Sequence, residues 1–206
     1  MVICWHYYLQ LLKLSLSQRG VKVIKLIYKI RNKIRVTGNH QINIDSSANI
    51  RGCKIIIKGE GNSFEIGAGV NIRDCLIEID GKNNSLSIGS NTTIGHNCYL
   101  SSREANTSLS IGSGCMLSRN VKVMTSDGHN IVKDGKRINS AQNIEIGPKV
   151  WLTDNVTVLK GVTVGEGSII GINSTLTKSV PSCAIAVGNP AKVVQNGVSW
   201  QHELTY

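Results

Sequence analysis

The stretch IGPKVWLTDNVTVLKGVTVGEGSIIGINSTL, from Ile146 to Leu176, carries an aliphatic residue at every sixth position. The residue four positions after each of these is small or β-branched, and the same six-residue period occurs earlier in the chain. This period is typical of a parallel β-helix, in which three short strands form a triangular coil of about eighteen residues. The aliphatic positions are Ile146, Leu152, Val158, Val164, Ile170 and Leu176, preceded by Ile44, Ile50, Ile66, Ile72, Ile88, Ile94, Ile111, Leu117 and Val123.

The composition agrees with a stacked repeat. The chain has 206 residues, which is the size of one domain, or of one domain with a short appendage. Only 4% of the residues are aromatic and 21 are glycines, so the core must consist of closely stacked aliphatic side chains. A single coil cannot bury its own aliphatic residues, so we expect stability to come from the stacking of coil on coil.

A longer period is visible before the regular stretch. The segments KGEGNSFEIGAGVNI (58–72), IDGKNNSLSIGSNTTI (79–94) and ANTSLSIGSGCML (105–117) align at spacings of 22 and 23 residues. The four or five additional residues in each coil contain Gly-Asn, Asn-Asn or Ala-Asn, which favour turns. We therefore predict a Gly/Asn-rich turn that protrudes at one corner of each of these coils.

The N-terminal segment differs from the repeat. In residues 1–36, lysines recur three or four positions apart with aliphatic residues between them, which indicates a helix with one basic face. The apolar runs are too short and too interrupted to span a bilayer. Two compatible interpretations stay open: a cap over the open end of the repeat, or a helix that docks on a membrane surface or a partner. We therefore predict a helical segment at 1–36, a β-helix at 37–180 and a C-terminal tail at 181–206.

The charge of the chain favours an anionic partner. The formal net charge is +10 and the calculated pI is about 9.5. Neither a nucleic-acid-binding module nor a basic stripe with interleaved aromatic residues accompanies this charge, which argues against nucleic acid. A phosphate-bearing cofactor, an acidic polymer and a membrane surface all stay compatible with it.

The cysteines fit packing positions better than disulfides. Cys53 and Cys75 occupy the same phase of successive coils, and Cys98 and Cys115 occupy the small-residue position. We expect buried thiols that act as small apolar side chains. The sequence has no CxxC motif, no Cys/His spacing that suits a metal and no signal peptide with a small-residue cleavage site, so we expect a cytoplasmic protein without a metal.

The repeat is interrupted between residues 125 and 143. If the period continued from Val123, the next aliphatic position would be 129, which is His129. A long loop on a rigid scaffold is a common place for a functional site. An Asp-Gly turn with a solvated histidine is the simpler interpretation of the same residues. The other histidines, which we expect at the surface or in the N-terminal segment, lack this setting; they are His6, His40, His96 and His202.

Three segments resemble a known family. Val150-Trp151-Leu152, the segment from Leu159 to Pro181 and GNPAKVV (188–194) are similar to the C-terminal half of hexapeptide-repeat acyltransferases. The resemblance covers residues 40–194 and implies a left-handed parallel β-helix, which is an exception to the right-handed crossover rule. It also implies a homotrimer that binds acyl-coenzyme A between subunits. SDGH (126–129), followed by a loop and IGPKVWL (146–152), resembles the sugar O-acetyltransferases within this family.

The resemblance implies roles for particular residues. His129 corresponds to the catalytic base. Independently of the resemblance, Asp127 lies two residues before it, so that on an extended segment its carboxylate would orient the ring, while an Asp-Gly turn is the equal alternative. Trp151 lies beside the acyl donor and the acceptor in similar enzymes. Many relatives carry glycine followed by glycine or serine where this chain has Thr153 and Asp154, so the Thr153 amide is the candidate oxyanion donor. Positions matched to coenzyme A binding are Gly161, Gly171, Asn173, Ser174, Lys178 and Lys192.

The favoured hypothesis is an acetyl-CoA-dependent O-acetyltransferase that acts on a bacterial capsular or other surface polysaccharide. An acidic polymer would suit the positive charge, and a location at the inner face of the membrane would suit the basic N-terminal helix. The same base and donor groove would serve an N-acetyltransferase of an amino sugar or nucleotide-sugar. A non-catalytic β-helix scaffold gives no reason for the interruption at DGHN. A zinc enzyme would need three converging histidines, but the repeat offers only His96 and His129.

Overall fold

The computed structural model describes residues 26–203. In this range the chain forms three parallel sheets, here called A, B and C, whose strands follow one another in turn along the sequence. The predicted parallel β-helix of hexapeptide-repeat type is thereby confirmed. The described residues exclude most of the predicted N-terminal helical segment and His6. The membrane-surface interpretation of that segment is therefore not tested. Within them, no helix is long and apolar enough to cross a membrane.

A short helix, α1 (Leu26–Arg31), covers the first coil. Its Tyr28 is buried and its hydroxyl donates to the Ala48 carbonyl at 3.0 Å. Asn32 follows α1 and joins it to the coil, because its Nδ2 donates to the Tyr28 and Ile50 carbonyls at 2.9 and 3.0 Å. The first described strand begins at Lys33, which lies inside the predicted helical segment 1–36. The three predicted domain boundaries stay predictions.

The first three coils have long strands in sheet A. Each of coils 1 to 6 contributes one strand to sheet A, one to sheet B and one to sheet C, in that order. Coil 1 contains β1 (Lys33–Thr37), β2 (Gln41–Ile44) and β3 (Asn49–Arg51); coil 2 contains β4 (Lys54–Glu60), β5 (Ser63–Ile66) and β6 (Asn71–Arg73); coil 3 contains β7 (Leu76–Lys82), β8 (Ser85–Ile88) and β9 (Thr93–Ile94).

Coil 4 still has a long strand in sheet A, and from coil 5, which carries the inserted loop, the strands in sheet A are shorter. Coil 4 contains β10 (Tyr99–Ala105), β11 (Ser108–Ile111) and β12 (Met116–Leu117). In coil 5 the hairpin β14 (Val132–Lys133) and β15 (Lys136–Arg137) is inserted between β13 (Lys122–Met124) and β16 (Ile144–Ile146), before β17 (Trp151–Leu152). Coil 6 contains β18 (Thr157–Val158), β19 (Thr163–Val164) and β20 (Ile169–Ile170); coil 7 contains β21 (Thr175–Leu176) and β22 (Ala184–Gly188), and β23 (Ala191–Asn196) returns antiparallel to β22.

The core follows the six-residue period. Outside the inserted hairpin, the coil strands each point one or two apolar residues inward, and the strands pair in register, so that equivalent positions stack from coil to coil. Cys53, Cys75, Cys98 and Cys115 are buried and free, as predicted. Their thiols also form hydrogen bonds between coils: the Cys75 Sγ, for example, donates to the Gly95 carbonyl of the next coil at 3.0 Å.

The corner between sheets A and B contains a ladder of buried polar side chains. Asn62 and Asn84 each donate from Nδ2 to carbonyls of their own and the next coil, and each accepts at Oδ1 from a backbone N–H one coil further on. His40 starts this ladder: its Nε2 donates to the Thr37 carbonyl at 2.9 Å, and its Nδ1 accepts from the Asn62 N–H at 3.3 Å. Our placement of His40 at the surface was wrong, since it is only 5% exposed. The ladder satisfies backbone groups that the turn would otherwise leave unpaired.

Candidate functional site

The interruption of the repeat is a loop at the corner between sheets A and B. The chain leaves the coil at Thr125 and returns at Gln142, whose N–H donates to the Thr125 carbonyl at 3.0 Å and closes the base of the loop. Outside this base, β14 and β15 form a two-residue hairpin around Asp134 and Gly135, which have φ values of 50° and 72°. Positive φ at both central residues suits a type I′ turn, for which Asp-Gly is a favoured pair.

Glu104 of coil 4 anchors this loop. Its Oε1 accepts from the Ser126 hydroxyl and from the Arg137 guanidinium, both at 2.6 Å, and its Oε2 accepts from the Ala141 N–H at 3.4 Å. These residues belong to both ends of the loop. The hydrogen bond from Arg137 lowers the pKa of Glu104 to about 2. Glu104 was not predicted as a site residue, because nothing in its local sequence distinguishes it from a solvated glutamate in a turn.

The depressed pKa of Glu104 predicts an acid-labile anchor. An unfolded glutamate titrates near 4.5, so the unfolded chain binds more protons between about pH 4.5 and 2, and the stabilising effect of the carboxylate is lost as the pH falls through this range. We expect the melting temperature of the wild type to exceed that of Glu104→Gln by about 5 °C at pH 6. The difference should shrink toward pH 2.5 in thermal melts followed by circular dichroism. Glu65→Gln, at an exposed strand position, is the matched control, and a difference independent of pH would contradict the assignment.

His129 lies in the exposed first part of the loop. Its carbonyl accepts from Asn139 Nδ2 at 2.8 Å, whereas its ring makes no hydrogen bond to any other described residue. The expected orientation of this ring by Asp127 is not found. Gly128, between them, has a φ of 82°, so the segment is not extended and the two side chains do not share a face. The Asp127 carboxylate instead accepts from Asn139 and from Lys160.

Lys160 and Asn139 were missed as site residues. Lys160 lies in the turn between sheets A and B of coil 6, and its Nζ contacts Asp127 Oδ2 and the Asn139 carbonyl. The hydrogen bond from Lys160 lowers the pKa of Asp127. A signal for Lys160 was available, because Val123 pairs with Val158 and the same register places residue 160 beside Thr125. The buried Asn139 had no such signal within the irregular loop.

A second candidate region is a cleft of about 430 Å³ on the outer face of sheet C. Trp151 lines it, half-buried, and its Nε1 donates to the Ser118 hydroxyl at 3.2 Å. The ring of Trp200, from the C-terminal tail, packs against Trp151 with 5.7 Å between the ring centroids. The cleft is lined by Thr93, Gly95, Met116, Leu117, Ser118, Arg119, Trp151, Thr153, Asp154 and Ile172.

Thr153 also lines the cleft, but it does not suit the predicted role. Its N–H donates to the Ile170 carbonyl at 3.1 Å, and its hydroxyl donates to the same oxygen at 2.7 Å. Both donors are therefore occupied, so the expectation that the Thr153 amide stabilises an oxyanion is corrected. Asp154 is also engaged, since it accepts from Arg119 at 2.5 Å and this contact lowers the pKa of the Asp154 carboxyl.

The positions matched to coenzyme A binding do not converge within the single chain. Gly171 and Asn173 flank Ile172 at the cleft, whereas Gly161 lies beside Gln142 at the base of the loop.

The other three positions also lie apart from one another. Ser174 is buried, and its hydroxyl accepts from the Gly188 N–H at 3.0 Å, which is a structural contact. The two lysines are exposed on different sides: Lys178 in the turn between sheets A and B of coil 7, and Lys192 in β23 beside sheet C.

The two candidate regions lie on opposite sides of the β-helix. His129 belongs to the corner where sheets A and B meet, and Trp151 points outward from sheet C. In a three-sided coil, a corner lies opposite the third side. A single chain therefore does not bring the histidine and the cleft together.

Comparisons with curated proteins find partial relatives. A 112-residue segment is 36% identical to the polysialic acid O-acetyltransferase of Escherichia coli O1:K1 / APEC, covering 53% of this chain and 31% of that protein. A 52-residue segment is 54% identical to a protein of Staphylococcus aureus (strain COL) named as an acetyltransferase, covering 25% of this chain and 26% of that protein. The matches thus span about a third or less of these curated relatives. No family model matches the chain.

Two solved structures are similar over most of their length. The polysialic-acid-specific acetyltransferase NeuO is 29% identical with a TM-score of 0.63, over 83% of this chain and 90% of that chain. The polysialic acid O-acetyltransferase OatWY is 27% identical with a TM-score of 0.60, over 85% of this chain and 92% of that chain. The AntD N-acyltransferase of Bacillus cereus, at 16% identity and a TM-score of 0.54, shares the fold alone.

Proposed function

We propose that this member of the hexapeptide-repeat acyltransferases transfers an acetyl group from acetyl-coenzyme A to a sugar hydroxyl of a bacterial surface polysaccharide. The observation that carries the proposal is the loop at 125–143. Its backbone is fixed by Glu104, Asn139 and Lys160, while the ring of His129 is exposed and free to contact a substrate. The names of the similar proteins, two of them O-acetyltransferases and one an acetyltransferase, support the same reaction.

The proposed reaction uses His129 as general base. The imidazole takes the proton of the sugar hydroxyl as its oxygen attacks the thioester carbonyl, and the resulting imidazolium then protonates the departing thiolate of coenzyme A. No covalent acyl-enzyme is needed, and Cys53, Cys75, Cys98 and Cys115 are buried in the core. Coenzyme A is proposed to lie along Gly171 and Asn173 of one subunit and to meet, with its phosphates, Lys192 of that subunit and Lys178 of a neighbouring one. This assignment of the donor groove rests on the family resemblance.

We propose a homotrimer in which each active site forms between two subunits. His129 and the Trp151 cleft lie on opposite sides of one protomer, so the site becomes complete when the corner of one subunit meets sheet C of its neighbour. The hairpin supports this arrangement, because Ile131, Val132 and Ile138 are each more than half exposed and would be covered by a neighbour.

The proposed acceptor is an acidic polysaccharide with one carboxylate per sugar, such as polysialic acid. The names of the similar proteins supply this acceptor, and the net charge of +10 agrees with it. The hairpin carries exposed Lys133 and Lys136 close to His129 in the chain. Basic side chains around a site raise the local concentration of a polyanion and accelerate its association.

Thiol release from acetyl-coenzyme A tests the function and the acceptor together. Polysialic acid, neutral dextran and free amino sugars are offered to the wild type, and turnover is expected with polysialic acid. Lys133→Gln combined with Lys136→Gln should raise the KM for polysialic acid about 3- to 10-fold at low salt, and less at high salt. Equal turnover of neutral and sialylated polymers would contradict the acidic acceptor, and turnover of amino sugars alone would favour N-acetyl transfer.

A further inference from the structure

Lys160 has an environment unlike that of a surface lysine. Its side chain is 17% exposed although it lies in a turn, and its Nζ is in contact with Asp127 Oδ2. The same nitrogen donates to the Asn139 carbonyl at 2.8 Å. Coil 6, which contributes Lys160, thus contacts both ends of the loop that coil 5 extends.

Asn139 connects this ion pair to the histidine. It is 7% exposed, and its Nδ2 donates to Asp127 Oδ2 and to the His129 carbonyl, both at 2.8 Å. Its Oδ1 accepts from the Ile131 N–H at 2.8 Å. A single side chain therefore fixes the backbone on both sides of the segment 129–131, and Lys160 and Asp127 in turn fix Asn139.

The electrostatics make these contacts interdependent. Asp127 is 38% exposed and Lys160 is more deeply buried, so loss of the carboxylate would leave a largely desolvated ammonium group with only a carbonyl partner. Loss of the ammonium group would leave Asp127 with Asn139 as its remaining hydrogen-bond partner among the described side chains. Either loss therefore removes one of the hydrogen bonds that hold Asn139 and leaves it with its contacts from Arg137 and Ile131, which loosens the residue that fixes the His129 backbone.

We propose that Lys160 is a positioning residue that, together with Asp127 and Asn139, holds the His129 backbone where the ring can accept a proton from the acceptor. This clamp, defined as Lys160, Asp127 and Asn139, rests on the proposed function of His129. It assigns Asp127 a different task from the one its sequence position suggests: Asp127 fixes the loop through Lys160 and does not orient the ring. Misplacement of a catalytic group by about 1 Å costs up to about a hundredfold in rate.

Kinetics of Lys160 variants test the clamp. Lys160→Met should lower kcat about 10- to 100-fold, with the KM for acetyl-coenzyme A changed by less than about twofold. Lys160→Arg, which keeps a charged donor, should restore part of kcat. The double variant Asp127→Ala with Lys160→Met should be no slower than the slower single variant, because the partners act through one contact. Lys54→Met, at an exposed position of sheet A, is the matched control and should leave kcat unchanged.

Hydrogen–deuterium exchange gives a second readout that does not depend on activity. Peptides that cover 125–143 should exchange about tenfold faster in Lys160→Met than in the wild type, while peptides from coil 2 exchange at the wild-type rate. Unchanged exchange in the loop, or a normal kcat in Lys160→Met, overturns the clamp. So does a raised acceptor KM with normal kcat, which would mean that Lys160 contacts substrate. If the wild type transfers no acetyl group, the proposed function fails, and exchange alone then decides the clamp.

Discussion

Replacing His129 with alanine should abolish most acetyl transfer and leave the fold intact. A positioned general base contributes about 10²- to 10⁴-fold to rate, so kcat of His129→Ala should fall at least about a hundredfold. The His129 ring makes no hydrogen bond to another described residue, so its removal leaves no buried group unpaired and the melting temperature should stay close to that of the wild type. Thiol release with the best acceptor measures kcat.

The affinity for acetyl-coenzyme A distinguishes a loss of catalysis from a loss of binding in this experiment. The affinity for acetyl-coenzyme A, measured by isothermal titration calorimetry, should be the same in His129→Ala and wild type, because the base is needed only when the hydroxyl reacts. His96→Ala is a control at the corner between sheets C and A, where the ring pairs with Asp74 at 2.8 Å, and it should turn over normally. Normal turnover by His129→Ala would show that the loop is not the active site.

Two inactive variants should restore activity when they share a trimer. His129→Ala lacks the base, and Trp151→Ala is expected to lose at least about tenfold in turnover through a misplaced donor and acceptor. If each site takes its histidine from one subunit and its tryptophan from the next, random trimers formed from equal amounts contain about one intact site in four. The unselected pool of co-expressed trimers should therefore recover about a quarter of the wild-type turnover, and mixed trimers, which have one intact site in three, should recover about a third.

Trimers that combine differently tagged copies of one variant are the control for this experiment. Tandem purification through both tags selects mixed trimers, and mixed trimers of His129→Ala with itself, differently tagged, should stay inactive. Mixed trimers of His129→Ala and Trp151→Ala without any recovery would mean that each site lies within one subunit, which contradicts the proposed assembly.

The fold was predictable because its signal is periodic. The positions from Ile146 to Leu176 repeat with a spacing that no helix or alternating strand shares, and the packing of each coil depends only on this spacing. The same logic identified the interruption at 125–143. The period did not predict the burial of His40, because a polar side chain at a corner is buried through hydrogen bonds to its own turn and to the next coil, and the period does not encode these bonds.

The site was predictable in part. The resemblance pointed to His129 and to Trp151, and their roles stay predictions that the experiments above test. The pairing of Asp127 with His129 assumed an extended backbone, which the positive φ of Gly128 rules out. The partner that Asp127 has instead, Lys160, is 33 residues away in sequence and adjacent only after the coils stack. Contacts of this kind follow from strand register, and could be found once the register between coils is drawn.

The inserted loop has a consequence for how the molecule unfolds. In a linear array of coils each unit contacts only its neighbours, so cooperativity decays along the stack and the ends can open alone. The loop leaves coil 5, binds Glu104 of coil 4 and Lys160 of coil 6, and so ties three successive coils together. These coils should open as one cooperative block, with the seventh coil, which has no strand in sheet B, opening first. The segment that breaks the periodicity of the sequence thus enlarges the unit that unfolds together.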